Sequence, residues 1–272
     1  MIRTALREDG SWALVILLIP FVAAASLYNL STPLYESPDE LQHAAYAVWL
    51  ADGWGLPVVD PAAPGPWRQE GTQPPLYYWI VAQVVAAVPH DGVEGLATLN
   101  PYAGIGDPQR PDNKNRVLHD VEQERWPFSP DARSAYLARG ISTLMAVGTL
   151  AAIYCLGRIV FPGRPGIALG MVALVAFIPQ FLFLSASINN DNLVILISSW
   201  VLVLLVAWIR SEQLPGWPSI LALGTLLGLG VLAKFSGLLL WPLAAGTLLW
   251  LAWRPAAQDT NLRPGLRWLV LA

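Results

Sequence analysis

Three acidic residues, Glu36, Asp39 and Glu40, follow an apolar segment in the stretch "ESPDE" at residues 36–40. A carboxylate held rigidly at a helix start can act as a general base, and Asp39 and Glu40 are the candidates for this role. A simpler interpretation is also open, in which Ser37 caps the helix, Glu40 completes a capping box and Asp39 only complements the helix dipole. His43 lies one helical turn after Asp39 and can share its face, but this pair is too small for a metal site.

Further polar groups lie far along the chain, where apolar segments are interrupted. Asp191 and Asn190 occur in "SINNDNL", residues 187–193, which has the composition of a tight turn. Lys234 occurs in "LAKFSG", and its ammonium group is suited to holding an anionic headgroup, although a lysine that merely snorkels to the surface is the simpler alternative. Arg139, near the predicted outer end of another apolar segment, could assist Lys234.

The stretch "EGTQPPLYY", residues 70–78, adds a polar and aromatic group. Glu70 and Gln73 precede a proline pair that is typical of a helix start. Tyr77 and Tyr78 follow, and such amphipathic rings are common at the headgroup depth of a membrane, where they can serve only as anchors.

The composition indicates which elements must position these residues. Hydrophobic residues make up 55% of the 272-residue chain, charged residues only 13%, and there are 13 tryptophans. We therefore predict an all-α polytopic membrane protein, whose partner is the lipid bilayer; the net charge of −3 gives no reason to expect a nucleic-acid partner. Six apolar segments have roughly the length needed to cross a bilayer: 12–30, 135–157, 167–188, 193–209, 217–233 and 237–253.

The basic residues predict an orientation. Lysine and arginine in short loops tend to stay on the cytoplasmic side, so an inside N-terminus places one set of arginines there. That set is Arg3, Arg7, Arg158, Arg164, Arg210, Arg254, Arg263 and Arg267. The segment 31–133 then forms a large extracytoplasmic loop, and it holds 14 of the 19 acidic residues.

This orientation constrains the apolar run 74–88. A complete crossing there would move every later arginine to the outside, so we expect an interfacial or re-entrant helix instead. A second interfacial helix is predicted over 38–52 from its apolar stripe. The stretches 54–73 and 90–133 are rich in Pro, Gly and Asp, which indicates irregular connections.

Four motifs in order resemble a known family. "PDE" after the first span, "QPPLYYW", "SINNDN" at an outward turn and "GLGVLAKFSGLLLWP" at 228–242 are similar to the membrane-bound C-type glycosyltransferases (GT-C), especially the protein O-mannosyltransferase and aminoarabinose transferase group. The resemblance implies transfer of a sugar, with inversion, from a polyprenyl-phosphate carrier to a glycan, lipid or protein acceptor outside the plasma membrane. Residues 90–133 resemble an added insertion in this pattern.

The resemblance also implies residue roles. Asp39 matches the catalytic aspartate of the first outer loop, and Glu40 beside it is the second catalytic candidate. Gln73 departs from the Lys or His that is frequent at its position, so Lys234 is expected to take over the lipid phosphate. The expected substrate-binding residues are His43, Glu70, Gln73, Tyr77, Tyr78, Arg139, Asn190, Asp191 and Lys234.

Several wider expectations complete the hypothesis. We expect Asp39, Glu70, Asp191 and Lys234 to surround one outward-facing cavity, with no cofactor and no metal ion required. The stretch "RWLVLA", 267–272, resembles the start of another span, so the chain is expected to be the N-terminal part of a longer protein whose C-terminal spans are missing. Two alternatives stay open: a polytopic transporter, and a non-catalytic membrane subunit that binds a lipid-linked sugar.

Overall fold

The computed structural model describes residues 11–211 and 215–253, and within these ranges the chain is helical and contains no β-strand. The α-helices are α1 (Ser11–Ser31), α2 (Glu40–Ala51), α3 (Leu76–Val85), α4 (Val121–Glu124), α5 (Pro130–Val160), α6 (Pro165–Ala176), α7 (Pro179–Ser185), α8 (Asp191–Ser211), α9 (Trp217–Ala233) and α10 (Leu240–Trp253). Short 3₁₀ helices cover Arg68–Thr72, Gly92–Gly95 and Phe235–Leu239. The predicted C-terminal span and the arginines at 3, 7, 254, 263 and 267 lie outside the described residues.

Long apolar helices confirm the prediction of an all-α polytopic membrane protein. Four helical segments among the described residues are long and apolar enough to cross a membrane: Trp12–Ser31, Pro130–Val160, Asp191–Ser211 and Phe235–Trp253. Large apolar side chains such as Ile16, Leu144 and Leu239 are exposed on them, as expected for surfaces that face lipid. The segment 217–233 forms a 17-residue apolar helix, α9.

The predicted span 167–188 is not one straight helix. It forms two helices, α6 and α7, whose axes differ by 71°. Pro179 begins α7, and its ring disfavours the helical conformation of Ile178, whose backbone is extended. The pair is therefore a bent span or a re-entrant loop rather than one straight helix.

Helix α5 is the central element of the bundle. It begins where the Ser129 hydroxyl accepts a hydrogen bond from the Ala132 amide, at 3.2 Å, with Pro130 as its first residue. Along one side it packs against α8, and elsewhere against α1, α3 and α6. Small residues permit this close packing, since a Cβ added to Gly157 would lie 2.8 Å from the backbone of Ala168 in α6.

The apolar run 74–88 forms a helix, α3, that is too short to cross a bilayer. Its ten residues reach about 15 Å, half of the roughly 30 Å hydrocarbon core. Tyr77 at its start contacts Ser142 of α5, whereas Asp91 after its end contacts Asp131, about three turns nearer the N-terminus of α5. Helix α3 therefore runs beside the N-terminal part of α5, and its interfacial or re-entrant placement stays a prediction.

The insertion 90–133 closes on itself and on the segment before α2. Leu99 pairs with Val117 in an isolated antiparallel bridge. The amides of Arg116 and Val117 donate to the carboxylate of Glu36 at 2.9 and 3.2 Å, and His119 contacts the same carboxylate at 3.0 Å. The insertion is thus anchored three residues from Asp39.

Candidate functional site

The segment before α2 presents the Asp39 side chain in an unusual backbone conformation. Asp39 precedes the first residue of α2 with φ 56° and ψ 8°, in the left-handed region, which Asp tolerates better than most residues. Its side chain makes no cap hydrogen bond in the described structure, and the Ser37 hydroxyl has no partner there either. The capping-box interpretation is therefore wrong, and the Asp39 carboxylate is partly exposed and is not used to cap the helix.

Glu40, the second catalytic candidate, has a different environment. Its carboxylate is completely buried and pairs with Arg139 through two hydrogen bonds of 2.7 Å. It also accepts from the backbone amides of Tyr35 at 3.1 Å and Ile188 at 2.9 Å. Four hydrogen bonds occupy its oxygens, so this geometry favours a structural role over the predicted catalytic one.

Arg139 is occupied to the same extent. Besides its pair with Glu40, it donates to the backbone oxygens of Asn29, Thr32 and Pro33 at 2.8–3.0 Å. All five N–H donors of the guanidinium are used, and the side chain is fully buried. Arg139 joins α5 to the end of α1 and to α2, and in this arrangement it has no donor left for a phosphate.

A buried network behind Asp39 contains His43, Glu70 and Tyr78. The Tyr78 hydroxyl donates to Glu70 Oε2 at 3.2 Å, which leaves its oxygen to accept from the Nδ1–H tautomer of His43 at 2.8 Å. Burial, and then the charge of Lys234, lower the pKa of His43 to about 4, so its imidazole is neutral at pH 7. Burial, with the nearby charge of Asp39, raises the pKa of Glu70.

Tyr77 is fully buried and contacts the turn before α8. Its hydroxyl accepts from the Asn189 amide at 2.8 Å and forms a hydrogen bond of 2.9 Å with the Ser142 hydroxyl, in which either group can donate. The next residue, Asn190, is fully buried, and neither atom of its amide has a hydrogen-bond partner in the described structure. Gln73 is similar, because its Oε1 is buried without a partner there.

Lys234 pairs with Asp191 at the same end of the bundle. The Lys234 Nζ lies 2.6 Å from Asp191 Oδ1, and both side chains are partly exposed. Asp191 is the first residue of α8, and Lys234 lies between α9 and the 3₁₀ helix Phe235–Leu239. The chain turns back sharply here, because Gly237 contacts the backbone of Gly230 so closely that no Cβ would fit.

Electrostatic interactions link these segments. The positive charge of Lys234 acts to lower the pKa of both His43 and Glu70, although burial outweighs this effect at Glu70. The negative charge of Asp191 acts to raise the pKa of His43, and that of Asp39 acts to raise the pKa of Glu70. Asp39, Glu70, Asp191 and Lys234 come from four separate segments and interact electrostatically with one buried network, while the outward-facing cavity expected among them stays a prediction.

One contact to Asp39 was not predicted from the sequence. Gln69 Nε2 donates to Asp39 Oδ1 at 3.4 Å. Gln69 lies in the 3₁₀ helix Arg68–Thr72 directly before Glu70, and no feature of the local sequence distinguishes it from other surface residues. Only the folding of this helix against α2 makes the contact.

The arrangement combines the groups that glycosyl transfer to a hydroxyl requires. Asp39 offers a carboxylate that can accept a proton, and Lys234 offers a cation that can stabilise a phosphate leaving group. Among the described residues, no group of three or more His, Cys, Asp or Glu side chains is arranged to hold a metal ion.

Comparison with known families identifies one match. The family model described as dolichyl-phosphate-mannose-protein mannosyltransferase matches residues 133–272, slightly more than half of the chain. The matched part includes Asp191 and Lys234, whereas Asp39 and Glu70 precede it. No curated protein and no solved structure matches the chain.

Proposed function

Because this chain belongs to the dolichyl-phosphate-mannose-protein mannosyltransferase family, we propose that it transfers a sugar with inversion, using Asp39 as the general base. The family is one of membrane glycosyltransferases that use polyprenyl-phosphate sugar donors. The observation that carries the proposal is that Asp39 and Lys234, two opposite charges from distant segments, both act electrostatically on Glu70 in the buried network with Tyr78 and His43.

The reaction needs few catalytic groups. The acceptor hydroxyl attacks the anomeric carbon from the face opposite the phosphate, and Asp39 takes the hydroxyl proton. The bond from the anomeric carbon to the phosphate oxygen breaks, and its electron pair leaves with the polyprenyl phosphate. Lys234 stabilises the negative charge that develops on this leaving group, so no general acid is required.

We expect the remaining predicted residues to bind the sugar or to position the catalytic groups. We expect Glu70 and Tyr78 to line the sugar site, with His43 holding the Tyr78 hydroxyl, and Asp191 to hold Lys234 in place before the donor binds. The bilayer orientation proposed from the arginines puts this site on the extracytoplasmic side of the plasma membrane.

An Asp39→Asn variant tests the base. The amide has nearly the shape of the carboxylate but accepts no proton, so turnover should fall by roughly 100-fold or more. Transfer from a polyprenyl-phosphate sugar in membranes measures this, and Asp112→Asn, an exposed position in the insertion, is the matched control. Normal turnover in Asp39→Asn would refute the base assignment.

A separate measurement of donor binding distinguishes the role of Lys234 from that of Asp39. Donor binding should change little in Asp39→Asn, because the base acts on the acceptor. It should weaken in Lys234→Ala, which removes the counter-charge of the phosphate. A non-catalytic subunit that only binds lipid-linked sugar would need Lys234 and show no dependence on Asp39.

A further inference from the structure

A cavity of about 630 Å³ lies next to the candidate base, since Gln69 lines it and contacts Asp39, and neither Lys234 nor Asp191 is among its lining residues. Its volume is within the range of small-molecule sites. Three parts of the outer loop form it: the first half of α2, the segment 59–69, and residues 93–99 of the insertion. The lining residues include Leu41, Ala45, Val59, Pro61, Pro64, Pro66, Leu96 and Leu99.

The walls of this cavity are mainly apolar. Four of the lining residues carry strongly polar side chains, and two of these, Asp60 and Arg68, have opposite charges. Asp60 Oδ1 already accepts from the Ala62 amide at 2.8 Å. A glycan or an extended peptide needs hydrogen-bond partners along its whole length, and this lining has too few of them.

Two glutamines give the cavity a polar end near α2. Gln42 is 4% exposed, and its Oε1 accepts no hydrogen bond in the described structure. Gln69 also lines the cavity, and its Nε2 donates to Asp39 Oδ1 at 3.4 Å. A ligand in the cavity therefore meets one unsatisfied acceptor, Gln42 Oε1, and the side chain of Gln69, which contacts Asp39.

We propose that this cavity binds the apolar body of the acceptor, an uncharged amphipathic alcohol whose hydroxyl is presented to Asp39 past Gln69. This inference rests on the proposed function, since it takes Asp39 as the base. The insertion then supplies one wall of the acceptor site, through Val93, Leu96 and Leu99. Acceptor and donor enter from different sides, as attack opposite the phosphate requires.

Photocrosslinking tests the site without requiring transfer. The whole chain in lipid nanodiscs is irradiated with a diazirine derivative of farnesol, and the labelled peptides are mapped by mass spectrometry. We expect labels on residues 59–69 and 93–99, their loss when unlabelled farnesol or hexadecanol is added, and their retention when a polyprenyl phosphate is added instead. Loss of the labels to the polyprenyl phosphate but not to hexadecanol would assign the cavity to the isoprenoid chain of the donor and overturn the proposal. Labels confined to the lipid-facing helices would overturn the proposal.

Two variants that fill the cavity give a matched comparison. Ala97→Trp and Val59→Trp place a large ring into it from two different walls, and both should lose most of the label on these segments. Ala63→Trp, on an exposed part of the same loop that does not line the cavity, should keep it. Equal labelling of all three variants would refute the site.

The experiments distinguish a failure of the cavity proposal from a failure of the proposed function. Asp39→Asn should still be labelled, because crosslinking needs no base, so normal turnover in that variant would refute only the base. Displacement of the probe by a serine-containing peptide or a disaccharide, but not by farnesol, would instead assign the cavity to a peptide or a glycan and overturn the apolar acceptor.

Discussion

Two carboxylates that are neighbours in the chain, Asp39 and Glu40, have opposite environments. Asp39 is partly exposed and contacts Gln69, whereas Glu40 is completely buried and pairs with Arg139. The sequence predicts that an acid lies at the start of α2, but it does not predict which of the two is buried. That choice depends on where Arg139, 99 residues later, packs against α1.

Glu40 is expected to matter for stability. In Glu40→Gln the buried Arg139 loses its counter-charge, and breaking such a pair costs about 3–5 kcal/mol. The melting temperature of the purified protein in detergent measures the loss. Glu122→Gln is the control, because the Glu122–Arg125 pair is exposed on both sides and its removal should change the melting temperature little. Equal melting temperatures of the two variants would contradict the structural role of Glu40.

At the scale of the elements, apolar periodicity and proline placement predict most helices well. The helix predicted over 38–52 is Glu40–Ala51, and the one predicted over 74–88 is shorter, Leu76–Val85. The break at Pro179 was not predicted, because an apolar run does not reveal whether its proline begins a new helix or only bends the old one.

The turn that presents Lys234 depends on one glycine. A Cβ at Gly237 would overlap the carbonyl of Gly230, so Gly237→Ala should push the 3₁₀ helix away from α9 and displace Lys234 from Asp191. We expect weaker donor binding and lower stability in this variant. Gly228→Ala, whose added Cβ meets nothing within 4 Å, should bind the donor normally. Normal donor binding in Gly237→Ala would show that this close approach does not position Lys234.

At the scale of the whole molecule, the sequence predicts the orientation from its arginines, and the helices are compatible with it. Ile105, exposed in the insertion, should be on the outside, and Arg164, in the connection between α5 and α6, on the inside. In intact cells, Ile105→Cys should react with a membrane-impermeant thiol reagent and Arg164→Cys should not. The native Cys155 is buried and gives the background. Labelling of position 164 alone would reverse the orientation.

The packing of the insertion onto the site could not be predicted from the sequence, because its contacts join residues some 80 positions apart. His119 lies between two carboxylates, with Nε2 3.0 Å from Glu36 and Nδ1 2.7 Å from Glu124. Burial alone would lower the pKa of His119, but hydrogen bonds to Glu124 and Glu36, together with their charges, outweigh it and raise the pKa. The two carboxylates therefore favour the protonated form of the imidazole, and His119 links the insertion to Glu36, three residues before Asp39.

This ion cluster predicts a loosening of the insertion as the pH rises. A raised pKa in the folded state means that the stabilisation is complete below the ordinary histidine pKa of about 6.5 and is lost as the pH passes the higher folded value. The amides of Arg116 and Val117, which donate to Glu36, should therefore lose protection from hydrogen exchange as the pH rises above about 6.5 and through the higher folded pKa of His119, after correction for the intrinsic exchange rate. His119→Gln should remove this dependence, because no titrating group then bridges the two carboxylates. Protection that stays constant in the unmodified chain over this range would show that the insertion is held by its other contacts, such as the Leu99–Val117 bridge, and not by the charge of His119.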